Sequence, residues 1–184
     1  MKAHAVCPKW LKPSAEVDIL QVLAGLRPAL RTELESPIAE EEFGRWRRRL
    51  GLFGIIDKDS FVVLAPRSEL CRKIMSIDQA SGNHTAHLGR LLGYPFCCVR
   101  AAARIGEPYL DAWAASLTKR GFLGEFVAID ISGYRQGQAL ISHIPCSPHC
   151  LASLMMAKSL QKVAYSEPPW VSRRRFCLSR AVTA

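Results

Sequence analysis

Two short passages constrain this chain more than anything else in it: Gly93-Tyr94-Pro95-Phe96-Cys97-Cys98-Val99-Arg100 and His143-Ile144-Pro145-Cys146-Ser147-Pro148-His149-Cys150. They hold four of the seven cysteines, and in each a proline stands two residues ahead of a cysteine. Proline's fixed φ and missing N–H suit the opening residue of a helix. Pro95 therefore predicts a helix with Cys97 third and Cys98 fourth, running through alanines to a stop at Gly106. Ser147 as cap and Pro148 as first residue predict a second helix, through Leu151, Leu154, Met155, Ala157 and Leu160, with Cys150 third and Cys146 just before the cap. Helix openings present unpaired N–H groups and a partial positive charge, which favour thiolates. Four thiolates gathered together need a cation to balance them, so Cys97, Cys98, Cys146 and Cys150 are expected to hold a metal.

The choice of metal turns on the adjacent pair. Cys146 and Cys150 have a spacing that zinc accepts, whereas Cys97-Cys98 does not match the usual zinc pattern. Neighbouring helical side chains diverge by about 100°. That fan suits the separate irons of a [4Fe–4S] cluster better than one small ion. The expectation is an iron–sulfur cluster, with zinc as the alternative. Thiol exchange is a weaker third reading, because an adjacent cysteine pair makes a strained disulfide and Cys146/Cys150 lacks the two-residue spacing of that chemistry. The sequence around the two passages resembles an uncharacterised prokaryotic family whose members carry a Gly-Tyr-Pro-x-Cys-Cys segment and a later Pro-Cys-Ser-x-x-x-Cys-like segment. The likeness runs from about Leu88 to Leu160; it implies that the four cysteines act as a unit and names no reaction.

The remaining cysteines suggest no site. Cys71 sits on what reads as a packing helix and behaves as a small hydrophobe; Cys7 and Cys177 carry no assignment. An odd cysteine number without a secretory leader argues against a disulfide framework and for a cytoplasmic protein. No apolar run approaches the roughly 18 residues that span a bilayer. With 49% apolar and 22% charged residues among 184, the chain is expected to fold as a globule.

Around the site, His143 and His149 flank the second passage and are candidates for a catalytic acid or base or a replacement ligand. Arg100, with Arg104, is a candidate for holding a small anionic substrate or offsetting cluster charge. His84 and His87, three apart, are a further candidate for substrate contact. The leading expectation is an iron–sulfur enzyme acting on such a substrate in redox, sulfur-transfer or Lewis-acid chemistry. The alternative is a zinc- or cluster-stapled module that binds nucleic acid or protein.

Charge bears on that alternative. There are 25 basic and 16 acidic residues, a net +9, which attracts polyanions within a Debye length of about 8 Å. Arg45, Arg47, Arg48 and Arg49 read as the solvated end of a helix anchored by Trp46. Arg173-Arg174-Arg175, between Trp170 and Phe176, is the better candidate for phosphate contact and base stacking. No phosphate-binding glycine loop, Ser-His-Asp order or spaced glutamate pair is present.

The chain reads as α+β and mainly helical, in three parts. Residues 1–67 form a helix-hairpin module whose order allows a winged-helix-like arrangement; residues 68–165 form the cysteine domain with a short hairpin; residues 166–184 form a basic tail. In the first part, a helix over Ser14 to Gly25 is followed by a short one from Pro28 through Leu34. Another is capped by Ser36-Pro37, with acids early and arginines late. A hairpin then turns at Asp57 to Ser60. A helix from Ser68 breaks at Ser81-Gly82-Asn83 before a segment reaching Gly93. Phe122 to Ile131 and Ala139 to Ile144 are expected to pair as a second hairpin.

Overall fold

The computed structural model describes residues 7–165; the tail and its arginine run lie outside the described residues, as does Cys177. Helix α1 (Ala15–Leu23) buries Val17, Ile19, Leu20 and Val22. A helix buried on nearly every side belongs at the centre of a fold, and this one does. Its neighbours are a three-stranded antiparallel sheet of β1 (Leu30–Glu33), β2 (Phe53–Ile56) and β3 (Phe61–Ala65), in the order β1-β3-β2. Register pairs Leu30 with Leu64, and Phe53 with Ala65.

Alternation along the strands divides the sheet's two faces. Leu30, Val62 and Leu64 join the larger core cluster with α1 and with Phe43 and Trp46 of α2 (Glu40–Arg49). Val63 and Ala65 face Cys71, Ile74 and Met75 of α3 (Ser68–Asp78). The β2–β3 turn is held by Asp57 Oδ1, which accepts from the N–H groups of Asp59 and Phe61, both at 2.8 Å.

The mainly helical α+β fold is as expected, with corrections in detail. The segment after Pro28 is strand β1, not a helix. Its alternating burial places Leu30 and Thr32 inward, and four residues are too few to show that period in sequence. Helix α2 begins at Glu40 with Ala39 as cap, rather than at Ser36-Pro37, so that all three glutamates fill the first turn where the helix dipole favours them. A single helix, α2, connects β1 and β2. The second hairpin does not form. Gly124–Ile129 and Tyr134–Gln136 are 3₁₀ turns, and Ala139 to Ile144 runs without a strand partner. Gly124 and Gly137 take positive φ there, turning the chain instead of extending it.

Helices α4 (Thr85–Leu91), α5 (Phe96–Ile105), α6 (Leu110–Arg120) and α7 (Leu151–Tyr165) complete the fold. The larger core cluster draws on both sides of the 67/68 position, from Val17 and Leu20 to Leu117, Ile129, Leu154 and Leu160. Among the described residues no helix is long and apolar enough to cross a membrane.

A buried polar network fixes the two cysteine passages against α1. Arg27 forms an ion pair with Asp18, gives its Nε–H to the Leu92 carbonyl at 2.8 Å, and donates to Ser142 Oγ. Gln21 Nε2 donates to the Leu140 carbonyl at 2.9 Å. Leu92 immediately precedes Gly93-Tyr94-Pro95, and Ser142 immediately precedes His143, so one arginine sets the approach of both passages. Gly93 completes this arrangement. It has φ +77°, and a Cβ there would overlap the Pro28 ring.

Candidate metal centre

Both passages open helices, each slightly later than expected. Pro95 is the cap of α5 rather than its first residue, which makes Cys97 second and Cys98 third. Ser147 caps a turn, accepting from the His149 N–H at 3.3 Å, and α7 starts only at Leu151. Cys150 therefore flanks the helix, its carbonyl accepting from Leu154 N–H at 3.0 Å. Trp113 of α6 steadies the second passage by donating its indole N–H to the Pro145 carbonyl at 3.4 Å.

The two openings converge. The sulfurs of Cys97, Cys98, Cys146 and Cys150 all lie within 4.8 Å of one another, so the four could hold a metal ion. Cys97 to Cys98 is 3.8 Å, Cys97 to Cys150 is 3.7 Å and Cys98 to Cys150 is 3.6 Å. Four thiolates at ~2.3 Å from one ion form a tetrahedron with edges of about 3.8 Å. The helical fan between neighbours, which in the sequence counted against a single ion, is thus no obstacle. At the first turn of α5 the Cys97 and Cys98 side chains bring their sulfurs to one edge of such a tetrahedron.

Burial and hydrogen bonding grade the four sulfurs. Cys98 and Cys150 are buried, Cys146 is half-buried and Cys97 is exposed. The Cys150 thiol is held down to about 3, chiefly by the hydrogen bond from Cys98 and further by the Ser153 hydroxyl. Cys98 is pushed up by that same bond and by burial. Burial, with the neighbouring Cys150, pushes Cys146 up to about 12. Without a cation the negative charge therefore settles on Cys150 while Cys98 and Cys146 keep their protons; a divalent ion would remove those protons and spread the charge.

Ser153 and His143 form the support behind these sulfurs. Ser153 is fully buried one turn into α7. Its hydroxyl donates to Cys150 Sγ at 3.3 Å, and His143 Nε2 stands 2.8 Å from the same oxygen. With that hydroxyl hydrogen committed to sulfur, His143 is the donor, which fixes the Nε2–H tautomer and leaves Nδ1 a bare acceptor. Burial depresses the imidazole to about 3, so it is neutral. Tyr94 flanks the ring, with centroids 5.3 Å apart. Sequence reasoning missed Ser153, although a serine three residues after Cys150 on a helix that is otherwise apolar shares its face.

The other expected site residues are more scattered. His149 is exposed and packs edge-on against Phe126, centroids 5.1 Å apart. Arg100 is exposed on α5 with its guanidinium 5.7 Å from the Phe96 ring, and Arg104 is also exposed. His84 caps α4 and gives Nε2–H to the Ser81 carbonyl at 2.9 Å, while His87 is exposed. Among the described residues the histidines join no potential metal-ligand group. Cys71 donates to the Phe53 carbonyl at 3.5 Å inside the smaller core cluster, and burial pushes its thiol up to about 11, as suits a packing residue. Cys7 is likewise pushed up by burial, to about 12.

No protein-family model, curated protein or solved structure matches the chain.

Proposed function

We propose that this protein is a zinc protein in which Cys97, Cys98, Cys146 and Cys150 bind one ion that fastens the start of α5 to the start of α7. The observation that carries the reading is the sulfur spacing of 3.6 to 3.8 Å among Cys97, Cys98 and Cys150, the edge of a single-ion thiolate tetrahedron, with the Cys146 sulfur within 4.8 Å of each. A cubane cluster puts each thiolate on a different iron with inorganic sulfides between, and so needs its sulfurs spread wider. Four thiolates also leave no coordination position for substrate, which is the pattern of structural rather than catalytic zinc. Arg100 and His149 are exposed, packed against Phe96 and Phe126, and are not among the four candidate ligands. The iron–sulfur enzyme expected from sequence is therefore the less favoured reading, and the stapled module the favoured one.

Metal and acid-labile sulfide analysis of anaerobically purified protein tests this. Roughly one zinc per chain in a colourless, sulfide-free protein supports the proposal. A brown protein with about four irons and four sulfides overturns it in favour of a cluster. Serine variants of Cys98 and Cys150 should lose the zinc.

A further inference from the structure

Beside the thiolates lies a cavity of about 340 Å³, bounded by β1, the end of α3, α4, α5 and the Ser142–Ile144 segment. Its walls are mainly apolar, from Leu88, Leu92, Val99, Leu110 and Ile144, and its floor includes Cys98 and His143. Both floor residues are more than nine-tenths buried. His143 brings an unusual feature: with Nε2–H given to Ser153, its buried Nδ1 has no partner among the described residues. A buried acceptor without a donor is costly, so the site is chemically incomplete at that atom.

The charges of the lining constrain what completes it. Arg31 is the lining's arginine, and it is committed on two sides: Nε to Asp78 at 2.6 Å, and its guanidinium over the Phe61 ring at 3.8 Å. Glu107, exposed at the rim, makes no ion pair among the described residues. Among the described residues an anion entering the cavity would meet a free carboxylate and no free cation, although the chain as a whole carries +9.

We infer that this cavity binds a small molecule of roughly ten to fifteen heavy atoms, apolar in its body, neutral or cationic, and carrying an N–H or O–H at the end that reaches His143. The inference does not depend on which ion the thiolates hold. It replaces the anionic substrate expected from sequence with a neutral or cationic ligand, against the field of the whole molecule. Occupancy would also place the ligand against Cys98, one of the four sulfurs.

Three indoles of matched shape test it: indole, tryptamine and indole-3-acetate, titrated against the metal-loaded protein at low salt by ligand-observed NMR. Indole and tryptamine should bind, with tryptamine at least about fivefold tighter than indole-3-acetate. Glu107→Gln should erase that difference. Ala102→Phe should fill the space and abolish binding. Because Ala102 is partly packed, Ala80→Phe, placed on the opposite wall at an exposed position, serves as a second block. The inference is overturned if none of the three binds, if indole-3-acetate matches tryptamine, if the preference survives Glu107→Gln, or if folded blocking variants keep their affinity. Metal content measured on the same samples distinguishes these failures from failure of the zinc assignment.

Discussion

Replacing Ser153 by alanine tests whether the buried support behind the thiolates contributes to metal binding. The Ser153 hydroxyl lies 3.3 Å from both Cys150 and Cys98 sulfurs and 2.8 Å from His143 Nε2. Ser153→Ala removes a hydrogen bond to a charged sulfur, worth about 1.5–3 kcal/mol, and leaves the His143 N–H buried without an acceptor, at a further cost of about 1–3 kcal/mol. Alanine's better helix propensity returns only about 0.5 kcal/mol. Cys150 is a thiolate with or without the ion, so the first loss reaches affinity through position: the hydroxyl fixes where that sulfur points, and losing such a group weakens metal binding by about 10–100-fold. About 2 kcal/mol corresponds to roughly thirtyfold weaker zinc binding, within the range for groups that orient metal ligands. The second loss is common to metal-bound and metal-free folded protein, and appears as a lower urea midpoint in both. Competition against a chromophoric chelator measures the affinity, and urea titrations with and without zinc separate the two parts. A folded variant whose zinc affinity stays within twofold of the parent refutes the reasoning.

Binding should also release protons. Cys98 and Cys146 have raised pKa values and hold protons at neutral pH, whereas Cys150, held near 3, is already a thiolate. Each ion should therefore displace at least two protons and fewer than four, and the apparent affinity should fall about a hundredfold to a thousandfold for each pH unit lowered between pH 8 and 6; calorimetry in buffers of different ionisation enthalpy counts the protons. At the approach to the site, Gly93→Ala combines a left-handed backbone with an overlap onto the rigid Pro28 ring, about 2–4 kcal/mol together. Its Tm at fixed zinc should drop by roughly 5–15 °C, and a Tm within about 2 °C of the parent would count against the close packing of Gly93 on Pro28.

What the sequence revealed and what it hid follow one physical division. Features set by local chemistry were legible: the hairpin turn at Asp57 to Ser60, α3 from Ser68, the stop of α5 at Gly106, and the two helix openings that bring the cysteines together. Features set by distant partners were not. Leu30–Glu33 is a strand because β3 lies alongside it, and nothing within four residues says so. The branched and aromatic stretch around Phe122 to Ile131 suggests β structure by composition, yet Phe122 and Ile129 satisfy their burial in the core without pairing. The adjacent cysteines show the same division. An ideal helix separates neighbours by about 100°, but two short, rotatable side chains in a first turn converge when a third sulfur, Cys150, stands between them and the neighbouring helix. Ser153, Tyr94 and Ser142 gain their roles only through that meeting of remote segments.

A bound ion would matter most for the stretch between the two passages. Residues 106–149 contain one α-helix of ordinary length, α6, which buries only Leu117, followed by 3₁₀ turns. Tyr109, Leu123 and Val127 remain exposed. The stretch also buries Phe122, Ile129, Leu140 and Ile141, but much of its chain is held in turns rather than in long elements, so its ordering costs conformational entropy that a cross-link would reduce. Linking Cys98 to Cys146 through an ion closes a loop of about fifty residues, which in the chain-entropy picture of cross-links is worth about 4 kcal/mol. That is comparable with fully burying two further large apolar side chains. Its placement matters as much as its size. The ion would sit where α5 and α7 begin, close in sequence to Leu92 and Ser142, which Arg27 contacts. The turn-rich stretch would thereby be fastened at both ends to segments anchored on the buried helix α1.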